Sequence, residues 1–272
     1  MSVAGESTMK SIYHYDKGKL AATEKEFVGE FPLLLNVNGR EIATLIASPH
    51  DLRFLVAGFL RLQGFVEKVE DFQLLSVCND FGIARVQIKG ELPEKLKPVL
   101  TSGCGTGITF TIPQATKGRS GSPADRHFSP TAVFAMMEEL ARKAEGYRSH
   151  GGMHSAAVGD GSIVLYAEDL GRHNTLDRIA GEALLRGIDL AGTMLVTSGR
   201  VSTEMVAKCV LLGIQLIASR TSPTDMAVRM ADEAGITMIG YVRGGRFELY
   251  THPERLQVDL SEEGGCACAT GI

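Results

Sequence analysis

The sequence predicts an α/β fold, a mixed, largely parallel sheet with flanking helices, joined to a smaller α+β N-terminal portion. Four short runs rich in Val, Ile and Leu, at residues 163–167, 193–197, 215–218 and 236–242, are separated by helix-length segments, which is the pattern of crossover connections. Each run ends in a polar loop: Glu168-Asp169-Leu170-Gly171-Arg172-His173-Asn174, Ser198-Gly199-Arg200-Val201-Ser202, Ser219-Arg220-Thr221-Ser222 and Arg243-Gly244-Gly245-Arg246. Ahead of them, Asn38-Gly39 between two apolar runs signals a hairpin, because that pair supplies the positive φ angles of a type I′ turn.

In the N-terminal part, residues 1–25 are polar and are expected to be poorly ordered at the start. After the hairpin, Ser48-Pro49 predicts a helix start, with Ser48 as cap and Pro49 at the first helical position. Leu52, Leu55, Val56, Phe59 and Leu60 then form one buried stripe that Gly64 ends. Residues 71–78 and 82–89 read as a second hairpin. Ser129-Pro130 caps the next helix, with Val133, Phe134, Met137, Leu140 and Ala141 inward.

Within the α/β part, Asn174 is expected to cap a helix carrying Leu176, Ile179, Ala180, Ala183 and Leu184. A second turns Met205, Val206, Cys209 and Leu212 inward, which makes Cys209 a core thiol. Ser222-Pro223-Thr224-Asp225 opens a third. The predicted units are an α+β domain over residues 1–110, a mobile linker over 111–128, an α/β cofactor-binding domain over 129–258 and a cysteine-containing tail over 259–272.

Composition narrows the function. The 272 residues are 44% hydrophobic and carry a net charge of −4, so nothing draws the whole chain to nucleic acid or an anionic membrane. The first ten residues lack the basic and apolar regions of a signal peptide, and the longest apolar stretch, near residues 210–218, is too short to span a bilayer. A cytoplasmic protein is the expectation. The 5 cysteines, Cys78, Cys104, Cys209, Cys266 and Cys268, have no framework spacing and read as free thiols.

Anion binding must therefore be local, and the strand-end loops supply it. Ligands of such sheets sit beyond the strands' carboxyl ends, where guanidinium groups and helix N-termini converge. Every one of the four loops carries an arginine, which points to a phosphorylated ligand, against the blander reading of arginines that only solvate the rim. Cys104, between Gly103 and Gly105, has little side-chain cover and a loop able to turn N–H groups toward its sulfur, which favours a thiolate. No general base stands nearby in the sequence, and an incidental turn cysteine is the other reading. His154 and His173 have no paired cysteine spacing near them, so no permanently bound metal is expected. A zinc deaminase is excluded, since no His-x-Glu with Pro-Cys-x-x-Cys is present.

The run from Glu168 to Asp177, with Gly151-Gly152-Met153-His154, the run from Ser198 to Met205 and Tyr250-Thr251-His252-Pro253-Glu254-Arg255, resembles the FdhD family of sulfur carrier proteins required for formate dehydrogenase activity. The resemblance extends from the Asn38-Gly39 hairpin to Arg255. It implies a cytidine-deaminase-like fold and a cytoplasmic homodimer. It further implies a sulfurtransferase that takes persulfide sulfur from a cysteine desulfurase and passes it to the molybdenum of a bis(molybdopterin guanine dinucleotide) cofactor, before insertion into formate dehydrogenase. The family's reactive cysteine matches Cys104, and its cofactor-binding segment matches Tyr241, Val242, Arg243, Gly244, Gly245 and Arg246. Arg200 and Arg220 join them from the rim, and His173 is expected to orient a ligand. Many family members carry Cys-Gly-x-Cys-Gly in the loop, whereas this chain has Gly107 at the second cysteine's place. Cys104 then acts alone or with Cys266 or Cys268, if the tail is not inert. The rival reading is a non-catalytic cofactor chaperone. A nucleotide-modifying hydrolase comes third and lacks a metal or carboxylate pair.

Overall fold

A computed structural model describes residues 8–92, 99–100, 108–109 and 126–257. Cys104, most of the linker and the 259–272 tail with Cys266 and Cys268 lie outside the described residues.

The chain opens on an antiparallel hairpin of β1 (Thr8–Asp16) and β2 (Lys19–Phe27), where the sequence suggested only a poorly ordered polar segment. Lys17 and Gly18, at φ 46° and 84°, make the tight turn between them. Its apolar residues are too sparse among the charges to register as strands.

Next come β3 (Phe31–Val37) and β4 (Arg40–Ala47), turning at Asn38 and Gly39 with φ 50° and 82° as the Asn-Gly pair predicts. With β5 (Phe72–Cys78) and β6 (Ile83–Ile88) they form a sheet in the order β4-β3-β6-β5. Phe31, Leu33, Leu35 and Val37 alternate inward along β3 and pack on α1 (Leu52–Leu62). That helix begins later than predicted, with Asp51 at φ 43° in the cap position. Ser48 is occupied elsewhere: its N–H donates to Asp169 (3.2 Å) and its Oγ accepts from Leu170 N–H (3.2 Å), bonds that clip this unit to the next. The short strands β7 (Val99–Leu100) and β8 (Ile108–Thr109) pair antiparallel. In sequence, residues 101–107 connect them.

The second unit contains α2 (Pro130–Lys143), α3 (Glu145–His150), β9 (His154–Gly159), β10 (Ile163–Asp169), α4 (Arg172–Arg186), β11 (Met194–Thr197), α5 (Thr203–Leu212), β12 (Leu216–Ser219), α6 (Asp225–Glu233), β13 (Thr237–Arg243) and β14 (Arg246–Thr251). Its six strands lie in the order β10-β9-β11-β12-β13-β14. Strands β10 to β13 all run in one direction, as the crossover pattern requires. The sheet is mixed, as predicted, but it is not largely parallel: β9 lies antiparallel between β10 and β11, and only the β11–β12 and β12–β13 ladders are parallel. A β-hairpin closes β9 onto β10, which puts two chain-adjacent strands side by side.

Side chains alternate between the two faces of this sheet. Leu195, Ile217 and Met238 face α4, α5 and α6, while Met194, Val196, Leu216, Ala218 and Ile239 face α2. Helix α4 is covered on both sides, because its far face packs on α1. A Cβ on Gly58 would stand 1.7 Å from Asp177 O, and one on Gly181 would stand 1.9 Å from Phe54 O. Glycine at these two positions is what lets the helix backbones touch. The start of α4 also differs from expectation: Gly171 holds the cap position, and Asn174 sits in the first turn, donating to Asp169 Oδ1 (2.7 Å) and Ile46 O (2.9 Å). Among the described residues, no helix is long and apolar enough to cross a membrane.

Candidate functional site

Because β10, β11, β12 and β13 share a direction, their carboxyl ends and the N-termini of α4, α5 and α6 meet along one rim of the sheet. Four unlinked stretches of sequence are thereby gathered in space, including the arginines at 200, 220, 243 and 246.

The rim has a hydrogen-bonded floor. Ser155 N–H donates to Ser198 Oγ (2.9 Å), and Ser198 N–H donates back to Ser155 O (2.9 Å). Gly199 N–H reaches Thr197 Oγ1 (3.1 Å), and Ser219 Oγ donates to Gly199 O (2.7 Å). Thr221 N–H donates to Ser219 Oγ (3.0 Å), and Tyr241 N–H donates to Thr221 O (3.1 Å). These bonds tie the ends of β9, β11, β12 and β13 into a single ledge. Backbone amides already paired in this way do not have to reorganise when a ligand arrives.

The arginines stand on that ledge with their side chains exposed. Arg200 follows β11, Arg220 follows β12, and Arg243 and Arg246 flank the turn from β13 to β14. Gly244 and Gly245, at φ 56° and 70°, form a two-residue turn that projects past the shorter β12. Tyr241 is held at φ 53° where the β13–β14 register shifts, and its ring lies 5.8 Å from the Arg243 guanidinium carbon. Val242 turns its side chain into the core at 2% exposure, so only its backbone faces the site.

His173 lies beneath the rim rather than on it. Its Nε2 is 3.2 Å from Ser202 Oγ, and burial, with Lys208 beside it, pushes the imidazole down to about 3. The ring is therefore neutral at neutral pH, and its 3.4 Å approach to Glu204 is not an ion pair. Below it, Lys208 bonds Asp177 (2.8 Å) and Glu204 (3.3 Å). Burial pushes the Asp177 carboxyl up to about 6, while these two carboxylates, working against burial, hold the Lys208 ammonium above its ordinary value.

Two residues that sequence reasoning did not place in the site belong to it by geometry. A Cβ on Gly199 would lie 2.9 Å from Arg172 Cβ and 3.3 Å from His154 Nδ1, so Arg172 and His154 close the rim at the α4 end. Burial and then Arg172 lower the His154 pKa, leaving a second neutral imidazole. The available signal was Arg172 itself, the arginine of the first strand-end loop. Cys209 is fully buried, and burial raises its thiol pKa, which fits the core reading.

A cavity of about 410 Å3 opens beside β10, away from the arginines. Asp51, Glu145, Glu168 and Glu182 line it, and its Arg178 is already bound to Asp169 (2.6 Å). Four carboxylates repel phosphate, so this cavity does not suit an anionic ligand.

Fold and rim together define a mixed α/β protein with an arginine-lined sheet edge, joined to an N-terminal hairpin-and-helix unit. Residues 28–257 match the FdhD/NarQ family, and the chain belongs to it. It is 33% identical over 258 residues to the sulfur carrier protein FdhD of Bacillus subtilis strain 168, covering 92% of this chain and 98% of the relative. Identity to the protein of the same name in Staphylococcus haemolyticus is 35% over 253 residues, covering 91% and 96%. A crystal structure from Desulfotalea psychrophila, provisionally assigned as a formate dehydrogenase accessory protein, superposes with a TM-score of 0.75 at 25% identity, covering 92% of this chain and 99% of the other.

Proposed function

We propose that this chain is a cytoplasmic sulfurtransferase serving formate dehydrogenase, with Cys104 as sulfur acceptor and donor. The Cys104 thiolate attacks the outer sulfur of a cysteine desulfurase persulfide, and the desulfurase cysteine leaves as a thiolate, so the exchange involves no net oxidation. No general base is needed. Delivery to molybdenum as a sulfido ligand transfers a sulfur formally at the zero level. The two electrons it takes come from the metal or from a second thiol, a role open to Cys266 or Cys268 because Gly107 replaces the loop's usual second cysteine.

The molybdenum bis(molybdopterin guanine dinucleotide) is the substrate. Its diphosphates are the groups that Arg200, Arg220, Arg243 and Arg246 suit, with the Gly244 and Gly245 N–H groups assisting and Tyr241 presenting a ring face. The observation that carries this reading is the gathering of those arginines on one prepaired ledge. His173 acts only through Ser202. The family's naming as sulfur carriers supports transfer over a purely protective, non-catalytic chaperone.

Intact mass after incubation with a cysteine desulfurase and cysteine tests the proposal. Wild type should gain one reducible sulfur and Cys104→Ser none. Absence of a gain in wild type, with cofactor binding retained, would favour the chaperone.

A further inference from the structure

The β1–β2 hairpin has no core of its own. Tyr13 is 72% exposed, Tyr15 68% and Leu20 65%, and among the described residues β1 is hydrogen-bonded to no strand other than β2. An isolated two-stranded hairpin is marginally stable in water, and a long unpaired edge is a template for another strand. The outer edge of β1 has no proline and no bulge and keeps full nine-residue register with β2, and its charges are Lys10 and Asp16, which can pair with each other across two copies. One feature of that register is unfavourable within a single chain. Lys10 stands directly opposite Lys25, a like-charge pair.

We propose that β1 pairs antiparallel with β1 of a second copy across a two-fold axis at Tyr13, making a four-stranded sheet in the order β2-β1-β1-β2. In this register Lys10 faces Asp16 of the second copy, and Asp16 faces its Lys10. Both ion pairs form at once, as two-fold symmetry requires, and the Lys10–Lys25 repulsion acquires a neighbouring carboxylate. Tyr13 meets Tyr13 of the second copy. Because Tyr13 also pairs with Ala22 and Tyr15 with Leu20 in their own hairpin, one apolar row then crosses the seam. Ile12 and His14 meet on the opposite face. Moving the axis to Ile12 would set Lys10 against His14 and lose both ion pairs, so charge selects the register. The seam gives a specific form to the homodimer that the family resemblance implies, and it does not depend on the sulfur-transfer reading.

The test uses the full chain, with sedimentation velocity reading the dimer. Lys10→Asp improves the pair with Lys25 inside the hairpin but sets acid against acid at both seam contacts. The dimer should weaken by about tenfold or more while the fold is kept. Adding Asp16→Lys to Lys10→Asp restores both contacts with reversed polarity. It also leaves one like and one unlike pair inside each hairpin, as in wild type, so the dimer should recover. Tyr13→Cys should form a disulfide between copies under mild oxidation, since directly opposed residues are about 5 Å apart at Cα. A monomeric wild type, or a dimer that neither weakens in Lys10→Asp nor links through Tyr13→Cys, overturns the proposal. Sulfur loading of Cys104, read by mass on either oligomer, keeps a failure here separate from a failure of the sulfurtransferase reading.

Discussion

Replacing Asp169 with alanine tests what joins the N-terminal unit to the rim. The carboxylate is fully buried and accepts five hydrogen bonds: Arg178 Nε (2.8 Å), Arg178 Nη2 (2.6 Å), Ser48 N–H (3.2 Å), Gly171 N–H (2.9 Å) and Asn174 Nδ2 (2.7 Å). Truncation leaves the Arg178 guanidinium, itself 2% exposed, with the Ser48 and His50 carbonyls but without its counter-ion. Breaking one side of a buried pair costs about 3–5 kcal/mol, mostly the penalty of the stranded charge. At about 2–4 °C per kcal/mol for a chain of this size class, the thermal midpoint should fall by of the order of 10 °C. Urea unfolding followed by circular dichroism would measure the loss. Hydrogen exchange should rise first at Ser48 and at Leu170 and Gly171, whose amides the cluster pairs directly or through Ser48. A second variant separates charge from packing: Asp169→Leu combined with Arg178→Leu removes both ions and should recover part of the loss. A cost below about 1 kcal/mol for Asp169→Ala would refute the claim that this ion cluster clips the units together.

The remaining predictions concern the rim. Unfolding returns the His173 ring from about 3 to its ordinary value of 6.5, so the unfolded chain binds a proton that the folded chain refuses. Relative to His173→Gln, wild type should therefore lose about 1.4 kcal/mol per pH unit as pH falls below about 6.5, and nothing above it. The raised Asp177 acts in the opposite sense below about 6, but it is present in both chains and cancels to first order in the difference. Thermal melts of the two proteins across this range measure the slope, and parallel curves would show that the ring is not held neutral. At the turn, Arg243→Ala with Arg246→Ala should weaken binding of guanosine diphosphate by about tenfold per arginine, with a reduced dependence on salt. Calorimetry showing unchanged affinity would remove the turn from the phosphate site.

The elements with strong local signals were legible in the sequence. Asn38-Gly39 gave its turn because few other residue pairs accept two positive φ angles, and Ser129-Pro130 and Thr224 capped their helices as their side chains allow. Ser48 and Asn174 misled because a side chain able to cap a helix can also bond across the molecule. Asp169 and Leu170 claimed Ser48, and Asp169 and Ile46 claimed Asn174. The β1–β2 hairpin was missed because strand pairing joins residues whose sequence separation carries no periodic mark.

Sequence alone determined the family, the reactive Cys104 as a candidate, and the presence of an arginine on every strand-end loop. These are properties of residue identity and order along the chain. Tertiary structure decided that β9 inserts antiparallel between β10 and β11, that Arg172 and His154 meet across Gly199, and that His173 is buried and neutral. Each depends on contacts between residues far apart in the chain, and the desolvation that sets charge and pairing exists only once those contacts have formed.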